Sequence, residues 1–139
     1  VSSYSCVMFK ELFVNLPVAD VSKSADFFTQ LGFAPEEKYT SGDSACFNLT
    51  DNVRLMLSGR EKLAAMIGKQ LATPDTSEVA LSFACDSAEM VQKLATKAFE
   101  LGARKVNDFE DEDFMVSWGF EDLDGHLWDL FWMDPKAVN

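Results

Sequence analysis

The carboxylate of Asp129 is the clearest chemical feature of this sequence, because it interrupts an apolar segment near the end of the chain. The spacing predicts a strand over 127–133, in which alternate side chains point to opposite faces. One face carries Trp128, Leu130 and Trp132, and the other carries Leu127, Asp129, Phe131 and Met133. A carboxylate on an otherwise apolar face is costly unless it is paired, ligated or open to solvent in a cleft. Asp129 is therefore a candidate general base or ligand-binding residue.

The segment before this strand must fix its position. Alternation over 114–120 predicts a second strand. Asp124-Gly125 then predicts a tight turn, since glycine adopts the positive φ angle that such a turn needs. The face with two indoles needs a large apolar partner, and helices are the expected one. His126, the only histidine, is expected to be an exposed turn residue.

Composition limits the classes of protein. A chain of 139 residues with 47% hydrophobic residues predicts one folded domain. The net charge of −11 argues against nucleic acid or an anionic membrane surface as a partner. Without a signal peptide or a membrane span in the sequence, the expected location is cytoplasmic. The cysteines, Cys6, Cys46 and Cys85, have no C-x-x-C spacing and predict neither a disulfide framework nor a zinc cluster.

The chain is predicted to contain two halves with the same order of elements. The first half has a strand over 9–18, a helix over 21–31, a weak strand over 33–39 and strands over 45–49 and 53–57. The second half has a strand over 78–85, a helix from Asp86 to Leu101, a hairpin over 103–120 around a solvated acidic loop at 110–113, and the final strand. Asp20 and Asp86 are the expected N-caps of the two helices, and Gly32 and Gly102 are expected to end them.

An internal repeat of this kind predicts two similar β-α-β-β-β modules. The modules are assigned to about 9–58 and 78–134, within a single domain over 9–134. A connector over 59–77 begins with a helix or loose segment, and residues 1–8 form an N-terminal extension. The expected buried stripe of the second helix is Met90, Leu94, Ala98 and Leu101.

Three segments of the sequence resemble a known family. The segment 119–130 resembles the closing motif of the vicinal oxygen chelate superfamily, and 13–20 and 23–33 resemble its opening strand and helix. This superfamily contains glyoxalase I, extradiol dioxygenases and bleomycin-resistance proteins. The resemblance implies an α+β fold in which two βαβββ modules form a cupped sheet with a central cleft, and it implies a homodimer.

The resemblance also implies where a metal would bind. Active members hold a divalent metal through four residues, and these positions fall on Phe13, Met56, Ala80 and Asp129. Only Asp129 suits a hard cation, and one carboxylate is too few ligands for a catalytic metal. We therefore expect no metal and no other cofactor, unless non-standard ligands hold a divalent ion.

The resemblance places a different set of residues in the cleft. This apolar pocket with a few polar groups is typical of a small-molecule site. Arg54 and Asp129 either pair with each other, or hold a ligand carboxylate and a ligand cation respectively. Cys46 is a wall residue rather than a nucleophile, since no base is visible for it. The pocket residues are Phe13, Asn15, Cys46, Asn48, Arg54, Met56, Ser82, Met115, Ser117, Leu127, Asp129 and Phe131.

Three functions fit these observations. The first is a metal-independent protein that binds a small, planar or aromatic molecule in the manner of the bleomycin-resistance proteins. The second is an enzyme of the glyoxalase or dioxygenase type, with non-standard metal ligands or with Asp129 as the general base of a lyase or isomerase. The third is a structural dimer module without a ligand.

Overall fold

The computed structural model describes residues 8–137, so Cys6 and most of the predicted extension lie outside the described residues. Contacts within the chain divide it into two compact units, with the boundary between Lys69 and Gln70. Each unit contains one sheet, and the architecture is mixed α+β. No helix in the described range has the length and hydropathy needed to cross a bilayer.

The first unit has the predicted order of elements. Its strands are ordered β1-β4-β3-β2, with β1 parallel to β4 and the other pairs antiparallel. The predicted weak strand is reduced to two residues, because the chain enters a 3-10 helix at Glu37. The elements are β1 (Leu12–Val18), α1 (Val21–Leu31), β2 (Ala34–Pro35), a 3-10 helix (Glu37–Tyr39), β3 (Ser44–Asn48), β4 (Val53–Gly59) and α2 (Arg60–Ile67).

Helix α1 begins and ends where the sequence predicts. The Asp20 carboxylate accepts a hydrogen bond from the backbone N–H of Lys23 at 3.1 Å, which makes it the N-cap. Gly32 ends the helix with a φ of +110°, in the left-handed region. Phe28 is buried, and its ring centroid lies 6.1 Å from that of Phe47 on β3. Helix α1 therefore packs against one face of this sheet.

The second unit repeats the pattern with a longer helix and an extra strand. Its sheet is ordered β5-β9-β8-β6, and β7 also pairs with β8. As in the first unit, the first and last strands, β5 and β9, are parallel neighbours. The elements are β5 (Ala80–Ala84), α3 (Ala88–Glu100), β6 (Arg104–Lys105), β7 (Glu110–Glu112), β8 (Met115–Glu121), β9 (Leu127–Met133) and a 3-10 helix (Pro135–Ala137).

Helix α3 corrects two predictions. Its N-cap is Ser87, whose Oγ accepts the backbone N–H of Met90 at 3.1 Å, so the assignment of Asp86 is wrong. Met90 is 40% exposed instead of buried. Neighbouring positions on a helix differ by about 100°, and it is Val91, one position after Met90, that faces the sheet. The buried residues of this helix are Val91, Ala95 and Ala98.

The indole-bearing face of β9 forms the core of the second unit, as predicted. Trp128 is fully buried, with stacked rings of Phe83 at 5.3 Å and Phe120 at 6.1 Å between centroids. Helix α3 packs against β8 and β9. The acidic segment is not only a loop, because Glu110–Glu112 pairs with β8. Its charged side chains stay exposed while its backbone forms the ladder, which is a common arrangement for an edge strand.

Candidate functional site

We call the face of each sheet opposite α1 or α3 the site face. In the first unit, the strand register places the predicted pocket residues on this face, as the alternation predicts. Phe13 lies opposite Arg54, and Asn15 lies opposite Met56. Cys46 also lies opposite Met56, and Asn48 lies opposite Arg54. Their role as a pocket remains a prediction.

Part of the first site face is covered by its own chain. The ring of Tyr39, in the 3-10 helix, meets the ring of Phe13 edge to face, with centroids 5.3 Å apart. Cys46 is fully buried, and its backbone N–H donates to Thr40 Oγ1 at 3.3 Å. Burial raises the pKa of the Cys46 thiol, so the thiolate needed for nucleophilic chemistry is disfavoured.

Arg54 has partners that the sequence did not reveal. Its Nη1 donates to the backbone carbonyls of Thr50 at 3.2 Å and Asp51 at 3.0 Å. Its Nη2 lies 3.1 Å from Oε1 of Glu11, forming an ion pair. Nε is buried and has no acceptor among the described residues. The charge of Arg54 is therefore balanced within its own unit.

A polar cluster at the end of the first sheet was also missed. Lys62 of α2 lies 2.7 Å from Ser44 Oγ and 3.1 Å from Asp43 Oδ1. The buried hydroxyls of Ser44 and Ser58 are 3.3 Å apart. Lys62 lowers the pKa of Asp43 through its hydrogen bond and its charge. These contacts fix α2 to β3 and give the cluster a structural role.

The second site face carries the remaining predicted pocket residues. Ser82 on β5 and Gly119 on β8 lie on either side of Asp129. Phe131 is next on this face along β9, and Ser117 lies opposite it. The other predicted members, Met115 and Leu127, share the same face and are partly exposed.

Asp129 is held by one protein hydrogen bond. Ser82 Oγ donates to its Oδ2 at 3.3 Å. On the other side, a Cβ placed at Gly119 would lie 3.3 Å from the Trp128 carbonyl and 3.5 Å from Asn107 Oδ1. Asn107 itself accepts the Gly119 N–H at 3.2 Å. The carboxylate is half-buried, lies between small residues, and its Oδ1 has no hydrogen-bond donor among residues 8–137.

The turn before β9 depends on Asp122, which the sequence did not single out. This carboxylate is 5% exposed and accepts the backbone N–H groups of Asp124 at 2.9 Å and His126 at 3.0 Å. It also accepts Trp128 Nε1–H at 3.0 Å. Burial raises the pKa of Asp122, against the opposing influence of nearby His126 and of these donors. His126 is partly buried rather than fully exposed.

Gly125 completes this turn, as predicted. Its φ is +83°, and its N–H donates to the carbonyl of Asp122 at 3.1 Å. A Cβ at this position would lie 2.5 Å from the carbonyl oxygen of Pro74. Only glycine readily adopts the left-handed conformation and also leaves room for the backbone of Pro74.

The residues at the family's metal positions do not fit a metal. Phe13 and Ala80 have no donor atom, and the Met56 thioether is a poor ligand for a hard cation. Between residues 8 and 137, no group of three or more His, Cys, Asp or Glu side chains could hold an ion.

The comparisons with known proteins define the class. The profile of the Glyoxalase/Bleomycin resistance protein/Dioxygenase superfamily matches residues 12–130, and the chain belongs to this superfamily. This confirms the resemblance and the mixed α+β fold class that it implies. A comparison with curated proteins finds no match.

Solved structures support the same fold. A hypothetical protein from S. aureus has a TM-score of 0.77 and 25% identity, covering 94% of this chain and 98% of that one. A glyoxalase-related enzyme from Fulvimarina pelagi has a TM-score of 0.76 and 17% identity, covering 90% and 88%. A glyoxalase/bleomycin resistance protein/dioxygenase family enzyme from Burkholderia phytofirmans PsJN has a TM-score of 0.71 and 18% identity, covering 87% and 96%.

Proposed function

We propose that this member of the superfamily binds a small organic molecule on its site faces, without a metal ion or another cofactor. Asp129 is the central polar contact on the second sheet, and Ser82 orients it. Leu127 and Phe131 provide apolar contacts along the same strand. The first-sheet residues of the predicted pocket are further candidate contacts.

One observation carries this proposal, the environment of Asp129. Asp129 is half-buried on a strand face that also carries Leu127 and Phe131, yet Ser82, which is itself exposed, supplies its one hydrogen bond among the described residues. Carboxylates in such places normally have several partners, because partial burial removes water. An N–H, O–H or cationic group of a ligand would supply the missing partner.

The test is a titration of ¹⁵N-labelled protein with a library of small amines, carboxylates and neutral aromatic compounds. A hit should shift backbone signals of 82, 117 and 127–131, and Asp129→Asn should weaken its binding about tenfold, the usual effect of losing one charged hydrogen bond. Asp111→Asn on the exposed strand β7 removes the same charge away from the site and should leave the affinity unchanged. Equal affinity for wild type and Asp129→Asn would exclude Asp129 as a ligand contact.

A second candidate is a lyase, isomerase or dioxygenase of the glyoxalase type. Oδ1 of Asp129 supports it, since this oxygen has no donor in the described part of the chain and could accept a substrate proton. Non-standard ligands would be needed for any metal-dependent version. Assays on 2-oxoaldehyde adducts and catechols, with and without added Ni²⁺, Zn²⁺, Mn²⁺ or Fe²⁺, test this candidate. The enzyme hypothesis requires that Asp129→Asn abolishes turnover while substrate binding persists.

We also propose that the protein is a homodimer, as the resemblance implies. The edge strand β1 begins with Leu12, which is 58% exposed, and the edge strand β5 follows Val79, which is 53% exposed. Strand edges with exposed apolar residues are typical association surfaces. Sedimentation equilibrium should detect a dimer, and Leu12→Lys should weaken it if β1 contributes; a monomer at all concentrations would reject the proposal.

A further inference from the structure

The guanidinium of Arg54 carries a buried N–H for which the described residues supply no acceptor. This group is Nε, whereas Nη1 is engaged by the carbonyls of Thr50 and Asp51, and Nη2 by Glu11. Nearly all buried N–H groups in folded proteins have an acceptor, because an unmatched donor is costly. An exception of this kind therefore indicates a position where an acceptor binds.

The geometry of the guanidinium identifies that acceptor. Nε and Nη2 form one edge of the plane, and a carboxylate binds this edge side-on through two parallel hydrogen bonds. Glu11 contacts Nη2 alone, at 3.1 Å. We infer that a small molecule bound on the first site face carries a carboxylate, which displaces Glu11 and accepts hydrogen bonds from both Nε and Nη2 of Arg54.

Glu11 is suited to displacement. Its side chain is 38% exposed, while that of Arg54 is only 14% exposed. It precedes β1, outside the hydrogen-bonded ladder. Ion pairs with one partly exposed member are weak, because water solvates that member almost as well. By contrast, the bonds from Nη1 to the two carbonyls hold the plane of Arg54 in place during the exchange.

The neighbours of Arg54 indicate the rest of the ligand. Phe13 and Asn48 lie opposite Arg54 on the two adjacent strands. Tyr39 meets Phe13 edge to face at 5.3 Å, so an aromatic pair lies on one side of the guanidinium and an amide on the other. An aromatic ring bearing a carboxylate matches this surface, since the ring can pack against Phe13 while its carboxylate reaches Arg54. The inference rests on the proposed function and specifies the ligand class of the first site face as a small aryl carboxylate.

Benzoate is the probe that tests this inference, with the Arg54 Nε–H signal as the direct readout. In a titration of ¹⁵N-labelled protein, this signal should shift and saturate. Glu11→Gln should tighten binding severalfold, because the competing internal charge is gone. Arg54→Lys keeps the positive charge but cannot donate two parallel hydrogen bonds from one edge, so it should weaken binding about tenfold.

Glu61→Gln is the matched control, because it removes one exposed acidic charge from the same unit without touching Arg54. It should leave the benzoate affinity near that of wild type. Equal tightening by Glu61→Gln and Glu11→Gln would show a general charge effect and overturn the displacement. An Arg54 Nε–H signal that does not move also overturns the inference. If backbone signals around 82 and 129 still respond to other ligands, the proposed function survives that failure.

Discussion

The last hairpin of each unit has a turn held by one charged side chain, and the two side chains have opposite charge. Between β3 and β4, Arg54 donates to the carbonyls of Thr50 and Asp51. Between β8 and β9, Asp122 accepts the N–H groups of Asp124 and His126. Both turns are therefore held by a charged side chain, but one is a cation that donates hydrogen bonds and the other is an anion that accepts them.

The two anchors differ in how fully they are satisfied. Asp122 is buried, and a third donor, the indole N–H of Trp128, completes its set of hydrogen bonds. Arg54 lies on the site face and bonds exposed carbonyls, and its Nε has no acceptor within residues 8–137. A saturated buried anchor supports the fold, whereas an unsaturated anchor on a site face can also bind a ligand. This comparison separates a structural charge from a candidate functional one.

The comparison predicts the largest loss of stability at Asp122. Asp122→Ala leaves three donors without their acceptor, one of them a buried indole N–H, and should lower the free energy of unfolding by about 3–4 kcal/mol. Urea denaturation measures this change. Asp111→Ala, at an exposed position, should change it by less than about 0.5 kcal/mol. A loss at Asp122 no larger than the control would contradict its role as the anchor.

Substitution of Gly125, in the turn between β8 and β9, should cause the next largest loss of stability. Gly125→Ala places a Cβ 2.5 Å from the Pro74 carbonyl at a φ of +83°, and we expect a loss of about 2–3 kcal/mol from strain and crowding. Gly32→Ala is the control in the first unit. Its φ is also positive, +110°, but nothing lies within 4 Å of the added Cβ, so about 1 kcal/mol is expected. Equal losses would mean that the contact with Pro74 has no energetic weight.

The first anchor should contribute less to stability. Arg54→Met keeps an apolar stem but removes the bonds to two exposed carbonyls, which water can replace, so the loss should be about 1 kcal/mol. Arg104→Met is the matched control, since its side chain is 82% exposed in a long ion pair to Glu121. It should have almost no effect on the urea midpoint. A loss at Arg54 as large as that at Asp122 would remove the distinction between the anchors.

The parts predicted from the sequence are those governed by local rules. Helix α1 was predicted to the residue because Asp20 and Gly32 are unambiguous end signals. The faces of β4 and β9 were predicted because alternation is fixed by strand geometry. Helix α3 was misplaced at its start because Asp86 and Ser87 are both good N-caps, and either choice leaves apolar residues near the required spacing.

The parts that were missed depend on tertiary contacts. Glu11 and Arg54 are far apart in sequence, and only the parallel pairing of β1 with β4 brings them together. Asp122 lies among Glu121 and Asp124, where an acidic residue is normally solvated. The available signal was local: an Asp three residues before a turn glycine often bonds backbone N–H groups within the turn.

The smallest expected effect is a change in the pH dependence of stability at Asp122. Burial raises the pKa of this carboxyl above its ordinary value of 3.8, so the folded state holds the proton more tightly than the unfolded chain does. The corresponding stabilisation is fully present below pH 3.8 and is lost as the pH rises through the folded-state pKa. The difference in unfolding free energy between wild type and Asp122→Asn should therefore fall over this range and then become constant. Urea denaturation at a series of pH values measures the difference. A difference that grows with pH would mean that the three donors and His126 outweigh burial, and that the folded-state pKa is lowered instead.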